Sequence, residues 1–313
     1  PGAHVQFVVD HDAPRPPAAL PASPVGAQPA SASTPTLAPG SAPGAAPTSA
    51  PSAAPAGPPP RRRPAPLRYA LPDFIVGPCN HVAHQAAIRL LEAHDALSSG
   101  SPLFISGPCG MGKPHLLQGL ARAAGARLGA HLCKYITAEA FSHEFSGAVR
   151  TNKGETFRRT YRSLELLCID DLDTLATKPK TQAELVQVID AIRARGGRVA
   201  ASGRDHPKRI LGLHEALASR LCAGMIARMD FPDPGTLRRL LRTLAQRRGL
   251  LIDDAALEAL AQASLRPGGA SAHAVSVREI EGLLTKVQAV HSVLANLSGQ
   301  SLDPARPIGV LSV

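Results

Sequence analysis

Residues 107–115, Gly-Pro-Cys-Gly-Met-Gly-Lys-Pro-His, restrict the fold of this chain more than any other stretch. They follow the apolar run Pro102-Leu103-Phe104-Ile105-Ser106 and lead into Leu116-Leu117-Gln118-Gly119-Leu120-Ala121, which favours a helix. Strand, glycine loop and helix in that order form the setting of a phosphate-binding loop. Gly107, Gly110 and Gly112 let the backbone wrap round a phosphate, with N–H groups pointing inward and a helix N-terminus adding partial positive charge. Lys113 then reaches the outer phosphates, with His115 two residues on in the same loop-to-helix turn. Position 114 breaks the pattern. Proline stands where a serine or threonine hydroxyl ordinarily holds Mg²⁺.

The segments after the loop alternate. Strands are expected at 103–106, 132–136, 164–170 and 198–202, with helices between them. One of these is 182–195, where Leu185, Val188, Ile189 and Ile192 recur at helical spacing. An earlier helix is expected at 83–96. Such alternation predicts a parallel α/β sheet covered by helices on both faces, with its ligand at the carboxyl ends of the strands. Beyond Pro232-Asp233-Pro234 strand signals stop, and helices are expected at 236–248, 254–264 and 277–297. Asp253 is a candidate N-cap, and Ser276-Val277-Arg278-Glu279 has the form of a capping box. An all-helical appendage on a P-loop sheet reads as a lid.

Composition sets the outer limits. Residues 13–60 are mostly Pro, Ala, Ser and Gly and cannot bury enough apolar surface to offset their ordering entropy, so a disordered linker is expected over 13–66. That leaves an α/β domain over 67–231 and a helical lid over 232–299. Residues 5–9 read as a lone strand, the remnant of an upstream domain within 1–12. Both ends read as cut. No tryptophan and 3% aromatics require an aliphatic core. The charge of +10 fits nucleic acid or an acidic partner. Five scattered cysteines without a CxxC pair suggest a reduced compartment. No apolar run is long enough to span a membrane. Arg61-Arg62-Arg63 reads as a solvated cluster, and His81 and His84 lack an obvious third metal ligand.

Leu166-Leu167-Cys168-Ile169-Asp170-Asp171 supplies the other half of a nucleotide site. An apolar strand ending in acidic residues is the Walker B pattern: Asp170 binds Mg²⁺ and Asp171 polarises the attacking water. An Asp-Asp strand end by itself is common, but after a glycine loop in an α/β pattern it is specific.

From about Leu67 to Gln300 the chain resembles the AAA+ domain of bacterial chromosomal replication initiators. The carriers are Asp73-Phe74-Ile75-Val76-Gly77-Pro78-Cys79-Asn80, Gly112-Lys113-Pro114-His115-Leu116-Leu117-Gln118, and Phe157-Arg158-Arg159-Thr160-Tyr161-Arg162-Ser163 leading into Ile169-Asp170-Asp171. The resemblance implies ATP or ADP as cofactor, with Val76 near the adenine. It implies that Arg220, in Ala218-Ser219-Arg220-Leu221, acts in trans on a neighbour's nucleotide, and that Arg278, in Val277-Arg278-Glu279-Ile280-Glu281-Gly282, reaches from the lid to the phosphates. Val149, Arg150 and Lys180 fall where that family touches single-stranded DNA. Ala201-Ser202-Gly203-Arg204 departs from the family's TSDR, with Gly203 in place of the aspartate. Together with Pro114 this implies a weakened Mg²⁺ site and slow or absent hydrolysis.

The resemblance further implies ATP-dependent self-assembly on origin DNA and duplex opening, in a cytoplasmic, nucleoid-associated protein. Helicase-loading partners would come through an N-terminal domain and duplex DNA through a C-terminal domain approached by 300–313; acidic phospholipid is a further implied contact. The alternatives are a degenerate regulatory homologue that does not hydrolyse ATP and an ATPase of the transposase-helper type.

Overall fold

The computed structural model describes residues 67–93, 100–264 and 275–297. The readings of 1–66 and 300–313 lie outside these residues.

A short 3-10 turn, Leu71–Asp73, leads to α1 (His81–Glu92), whose Asn80 ties the approach together. The Asn80 side chain accepts from the Gly77 amide (2.9 Å) and donates to the Ile75 carbonyl (3.0 Å). Then follow β1 (Leu103–Ser106), α2 (Lys113–Leu128), β2 (Cys133–Thr137), α3 (Ala138–Arg150) and α4 (Gly154–Arg162). β3 (Leu166–Asp170), α5 (Pro179–Ala194), β4 (Arg198–Gly203), α6 (Glu215–Cys222) and β5 (Met225–Arg228) complete the α/β part. The sheet has five strands in the order β2-β3-β4-β1-β5. Every pairing is parallel.

Strand alternation divides the core between the two faces. Phe104, Leu167, Ile169, Val199 and Ala201 point to one side, where they meet the aromatics of α3 and α4 and the aliphatic stripe of α5. Phe141, Phe157 and Tyr161 cluster there with ring centroids 4.5–5.5 Å apart. Leu103, Ile105, Leu166, Cys168 and Ala200 point the other way, against α1 and α2. Burial on both faces is why these strands read as continuous apolar runs.

β5 is a strand that the sequence reading lacked. Its four residues pair with β1 from Leu103↔Met225 to Ser106↔Arg228. It is an edge strand and three of its residues are not fully buried, so its apolar signal is weak; long-range pairing makes it a strand. The first helix also starts earlier than expected, at His81, with the Asn80 carbonyl accepting from the His84 amide while its side chain is spent on the approach.

α7 (Pro234–Arg247), α8 (Asp254–Ser264) and α9 (Val277–Leu297) form a helical bundle with its own core of Leu237, Leu241, Leu257, Leu260, Ile280 and Leu284. Its caps follow the sequence. Asp233 accepts from the Gly235 and Thr236 amides, both at 3.0 Å, and Asp253 accepts from the Ala256 amide at 2.6 Å. The Ser276–Glu279 capping box closes in both directions: Ser276 N–H to Glu279 Oε2 (2.7 Å) and Glu279 N–H to Ser276 Oγ (3.2 Å). Among the described residues no helix is long and apolar enough to cross a membrane.

Candidate functional site

A cleft of about 450 Å³ opens at the carboxyl ends of the strands, between the glycine loop and the start of α9. Its size suits a nucleotide-sized ligand. Gly110, Gly112, Lys113, Pro114 and His115 line it from below, Asp170 and Asp171 from the end of β3, and Arg278 from α9. The sequence-predicted groups of the two motifs and Arg278 therefore meet in one place.

Gly107 works from behind the cleft. A Cβ on it would lie 2.2 Å from the Met229 carbonyl oxygen, so only glycine lets β1 turn into the loop beside β5. Lys113 is 7% exposed. Its ammonium donates to the carbonyls of Gly107 (2.5 Å) and Pro108 (2.7 Å), which holds it across the loop. Desolvation lowers its pKa, and the charges of Cys109 and Asp170 oppose that shift. A phosphate entering the loop would offer this partly desolvated cation a stronger acceptor than a carbonyl.

Pro114 sits in the first turn of α2, directly after Lys113. There the missing N–H costs no helical hydrogen bond, so the loop folds, but one phosphate-facing amide and the hydroxyl are gone. His115 packs under the loop. Its ring stacks on Tyr69 (4.5 Å between centroids), meets Phe74 edge-on (5.3 Å), and its Nε2 lies 3.1 Å from the Ala70 carbonyl. Burial pushes its pKa down. His115 thus anchors the segment before α1, whose Phe74 and Ile75 line the cleft. Val76 is outside the lining and gives its carbonyl to Arg239 Nη2 at 2.9 Å.

The acidic pair is held in two ways. Asp170 is 5% exposed. It accepts from Ser202 Oγ at one oxygen and from the Tyr135 hydroxyl at the other, the latter at 2.9 Å. Asp171 has a φ of 58°, in the left-handed region that a non-glycine residue occupies at a cost. Its amide donates to Ser202 Oγ at 3.1 Å, so Ser202 bridges both residues. Desolvation and then the neighbouring Asp173 raise the Asp171 pKa, while Arg204 lowers it. Arg204 also lines the cleft. Its amide donates to Asp173 Oδ2 at 2.9 Å.

Gly203 has no room for a side chain. A Cβ there would lie 2.8 Å from Phe104 Cζ and 3.2 Å from Asp173 Oδ2. Tyr135 is a site residue that the sequence did not single out, and Ser202 and Arg204 stood there only as neighbours of Gly203. Nothing in a β-strand tyrosine or a buried serine distinguishes it from an ordinary core residue.

The bundle is joined to the loop through backbone. The Val277 amide donates to the Gly110 carbonyl at 3.0 Å. Arg278, the next residue, is exposed with its side chain on the cleft.

The phosphate end of the cleft fits a Mg²⁺ shell poorly, although Asp171 also lines it. Position 114 offers no oxygen, and both oxygens of Asp170 are already hydrogen-bonded within the chain.

The other named residues lie apart. Arg220, on α6, pairs with Asp190 of α5 through Nε at 2.8 Å to each carboxylate oxygen, and its Nη1 donates to the Ala216 carbonyl. Val149 and Arg150 end α3, with Val149 59% exposed. Lys180 is exposed in the first turn of α5. A contact of 3.3 Å between Ser142 and Thr181 joins α3 to the start of α5.

Comparison with known proteins follows the same outline. Residues 66–228 match the family of the bacterial DnaA ATPase domain. The chain is 33% identical over 255 residues to the chromosomal replication initiator protein DnaA of Thermus thermophilus, covering 82% of this chain and 54% of that protein. It spans about half the length of the curated relatives it matches. AMPPCP-bound DnaA from Aquifex aeolicus superposes with a TM-score of 0.61 at 25% identity, covering 71% of this chain and 65% of that one. Domain III of the Thermotoga maritima replication initiation protein DnaA gives 0.63 at 23% identity, over 75% and 92% of the two chains, which shows the shared fold. The family match covers the sheet from the approach to α1 through β5, with both halves of the cleft's phosphate end inside it, and on that ground the chain belongs to the bacterial DnaA ATPase-domain family.

Proposed function

We propose that this chain is the nucleotide-switched assembly module of a chromosomal replication initiator, binding ATP or ADP in the cleft and using the difference to control assembly on origin DNA. The observation that carries it is the junction of loop and bundle. The Gly110 carbonyl accepts from the Val277 amide at 3.0 Å, so a phosphate that moves the loop also moves the start of α9 and Arg278. The Aquifex relative is described as AMPPCP-bound, which supports an adenine nucleotide as ligand. Asp73 to Asn80 frame the base end of the cleft and the glycine loop its phosphate end.

In the proposed assembly, Arg220 of one protomer meets the nucleotide of the next. A guanidinium suits that role because it reads phosphate charge in a fixed geometry. Val149, Arg150 and Lys180, all exposed, supply the apolar and cationic groups that a single strand binds without sequence readout. A replication initiator in this sense acts at the chromosome, in the cytoplasm.

A second reading has its own observation. Pro114 and Gly203 both depart from the hydrolytic pattern, which favours a switch that turns over slowly, or a regulatory homologue that only binds. The test is nucleotide binding by titration, followed by light scattering on single-stranded DNA with ATP, with ADP and with Arg220→Ala. ATP-specific assembly lost in Arg220→Ala is the expected result. Absence of nucleotide binding would sink the whole reading. Binding without ATP-specific assembly would leave only the regulatory one.

A further inference from the structure

Asp170 ends β3 at the phosphate side of the cleft, yet its surroundings are not those of a cation ligand. Mg²⁺ requires near-octahedral oxygens and gives up its waters reluctantly, so protein sites offer it a carboxylate or hydroxyl aimed at the phosphates. Here the loop hydroxyl is absent at Pro114. The Asp170 carboxylate is 5% exposed and takes one hydroxyl at each oxygen, from Ser202 and from Tyr135. Two hydroxyls, one on each oxygen, satisfy the hydrogen bonding of this carboxylate and fix its direction without a cation. Tyr135 reaches it because β2 and β3 pair in parallel with Tyr135 opposite Cys168, two residues before Asp170. Meanwhile the cleft wall carries its own positive charge. Lys113, Arg204 and Arg278 line it, and the Lys113 ammonium is bonded to loop carbonyls that it would exchange for phosphate. Arg247 also lines it but is engaged by Asp73 at 3.2 Å.

We propose that nucleotide is held here without a divalent cation, its phosphate charge met by Lys113, Arg204, Arg278 and the loop amides, while Tyr135 and Ser202 hold Asp170 out of the phosphates' coordination shell. The proposal rests on the nucleotide-binding reading above and specifies its cofactor chemistry. It separates this cleft from a P-loop in which the metal bridges protein and phosphates.

The experiment titrates the full chain with ATP and with ADP, in Mg²⁺ and in EDTA at matched ionic strength. The expected dissociation constants in the two buffers agree to within about threefold, a free-energy difference too small to represent a lost ligand shell. Pro114→Thr restores the hydroxyl and should bind at least about tenfold more tightly in Mg²⁺ than in EDTA. Asp170→Asn removes a buried negative charge while keeping one acceptor oxygen, its NH₂ facing a hydroxyl that can turn to accept, so it should tighten ATP binding equally in both buffers. This variant decides the matter even if Pro114→Thr does not fold. A wild type that binds at least about tenfold more weakly in EDTA, or an Asp170→Asn protein weakened only in Mg²⁺, overturns the proposal and leaves nucleotide binding intact. Binding in neither buffer overturns the functional reading itself, and this inference with it.

Discussion

Replacing Gly110 with alanine should open the junction between the glycine loop and the bundle. Gly110 has a φ of +80°, and a Cβ there would lie 2.8 Å from Ser276 Cβ, 2.9 Å from Ser276 Oγ and 3.4 Å from Arg278 Cβ. The left-handed backbone alone costs an L-residue about 1–2 kcal/mol. Ser276 cannot simply rotate away, because its hydroxyl accepts from the Glu279 amide in the capping box. The start of α9 must instead retreat, and the Val277 amide then loses the Gly110 carbonyl, for about 1 kcal/mol more. A total of about 2–3 kcal/mol is expected. Urea denaturation followed by circular dichroism measures it, and hydrogen exchange at the Val277 amide locates it. Gly147→Ala is the control. It lies inside α3 with nothing within 4 Å of its ideal Cβ, so it should stabilise by about 0.5–1 kcal/mol. If Gly110→Ala stays within about 0.5 kcal/mol of wild type and Val277 remains protected, the strain argument is wrong.

Other sites yield shorter predictions. Asp233→Ala removes the N-cap of α7 and should cost about 1 kcal/mol in a denaturation curve. The Thr236 hydroxyl and amide hold the Asp233 carboxyl below its ordinary pKa. Its contribution is therefore complete above the unfolded-state pKa and fades as pH falls through the folded one, and Asp233→Asn should flatten that acid limb of stability against pH. Phe157→Ala empties the ring cluster with Phe141 and Tyr161 and should cost about 3 kcal/mol; a loss under about 1 kcal/mol would mean the cluster collapses to fill the space. Gly203→Asp places a side chain against Phe104 and a second carboxylate beside Asp173, so it should destabilise, with Asp173→Ala partly suppressing the effect in a double-mutant cycle. Equal penalties in both backgrounds would show that sterics alone act there.

How much of this was legible depended on the range of the forces involved. The capping box at Ser276–Glu279 and the cap at Asp253 need only residues three apart, so local sequence specifies them. The buried strands β1, β3 and β4 announce themselves as apolar runs. β5 does not, since its short stretch from Met225 to Arg228 becomes a strand only through pairing with β1, more than a hundred residues away in sequence. The glycine loop and the acidic pair were visible as motifs, but the way Asp170 is held was not. Tyr135 and Ser202 reach it from two other strands, and only parallel register places their hydroxyls on its oxygens. Arg204 entered the cleft in the same way.

The position of Arg220 bears on how a switch of this kind could be set. In the single chain its guanidinium is held by Asp190, with the two side chains 35% and 42% exposed. A pair this exposed is worth only about 0–1 kcal/mol, so releasing it costs little against a phosphate, which offers greater charge to the same fork. The weak pair still has a consequence. Bonds to Asp190 and to the Ala216 carbonyl fix the guanidinium's direction before any neighbour arrives, so less rotamer entropy remains to be lost on assembly. A strongly buried pair would have opposed the trans contact, and a free side chain would have lost more entropy in making it. On the proposed reading, the intrachain bond therefore orients Arg220 for the neighbour, and the γ-phosphate charge, the difference between ATP and ADP, is what draws it away.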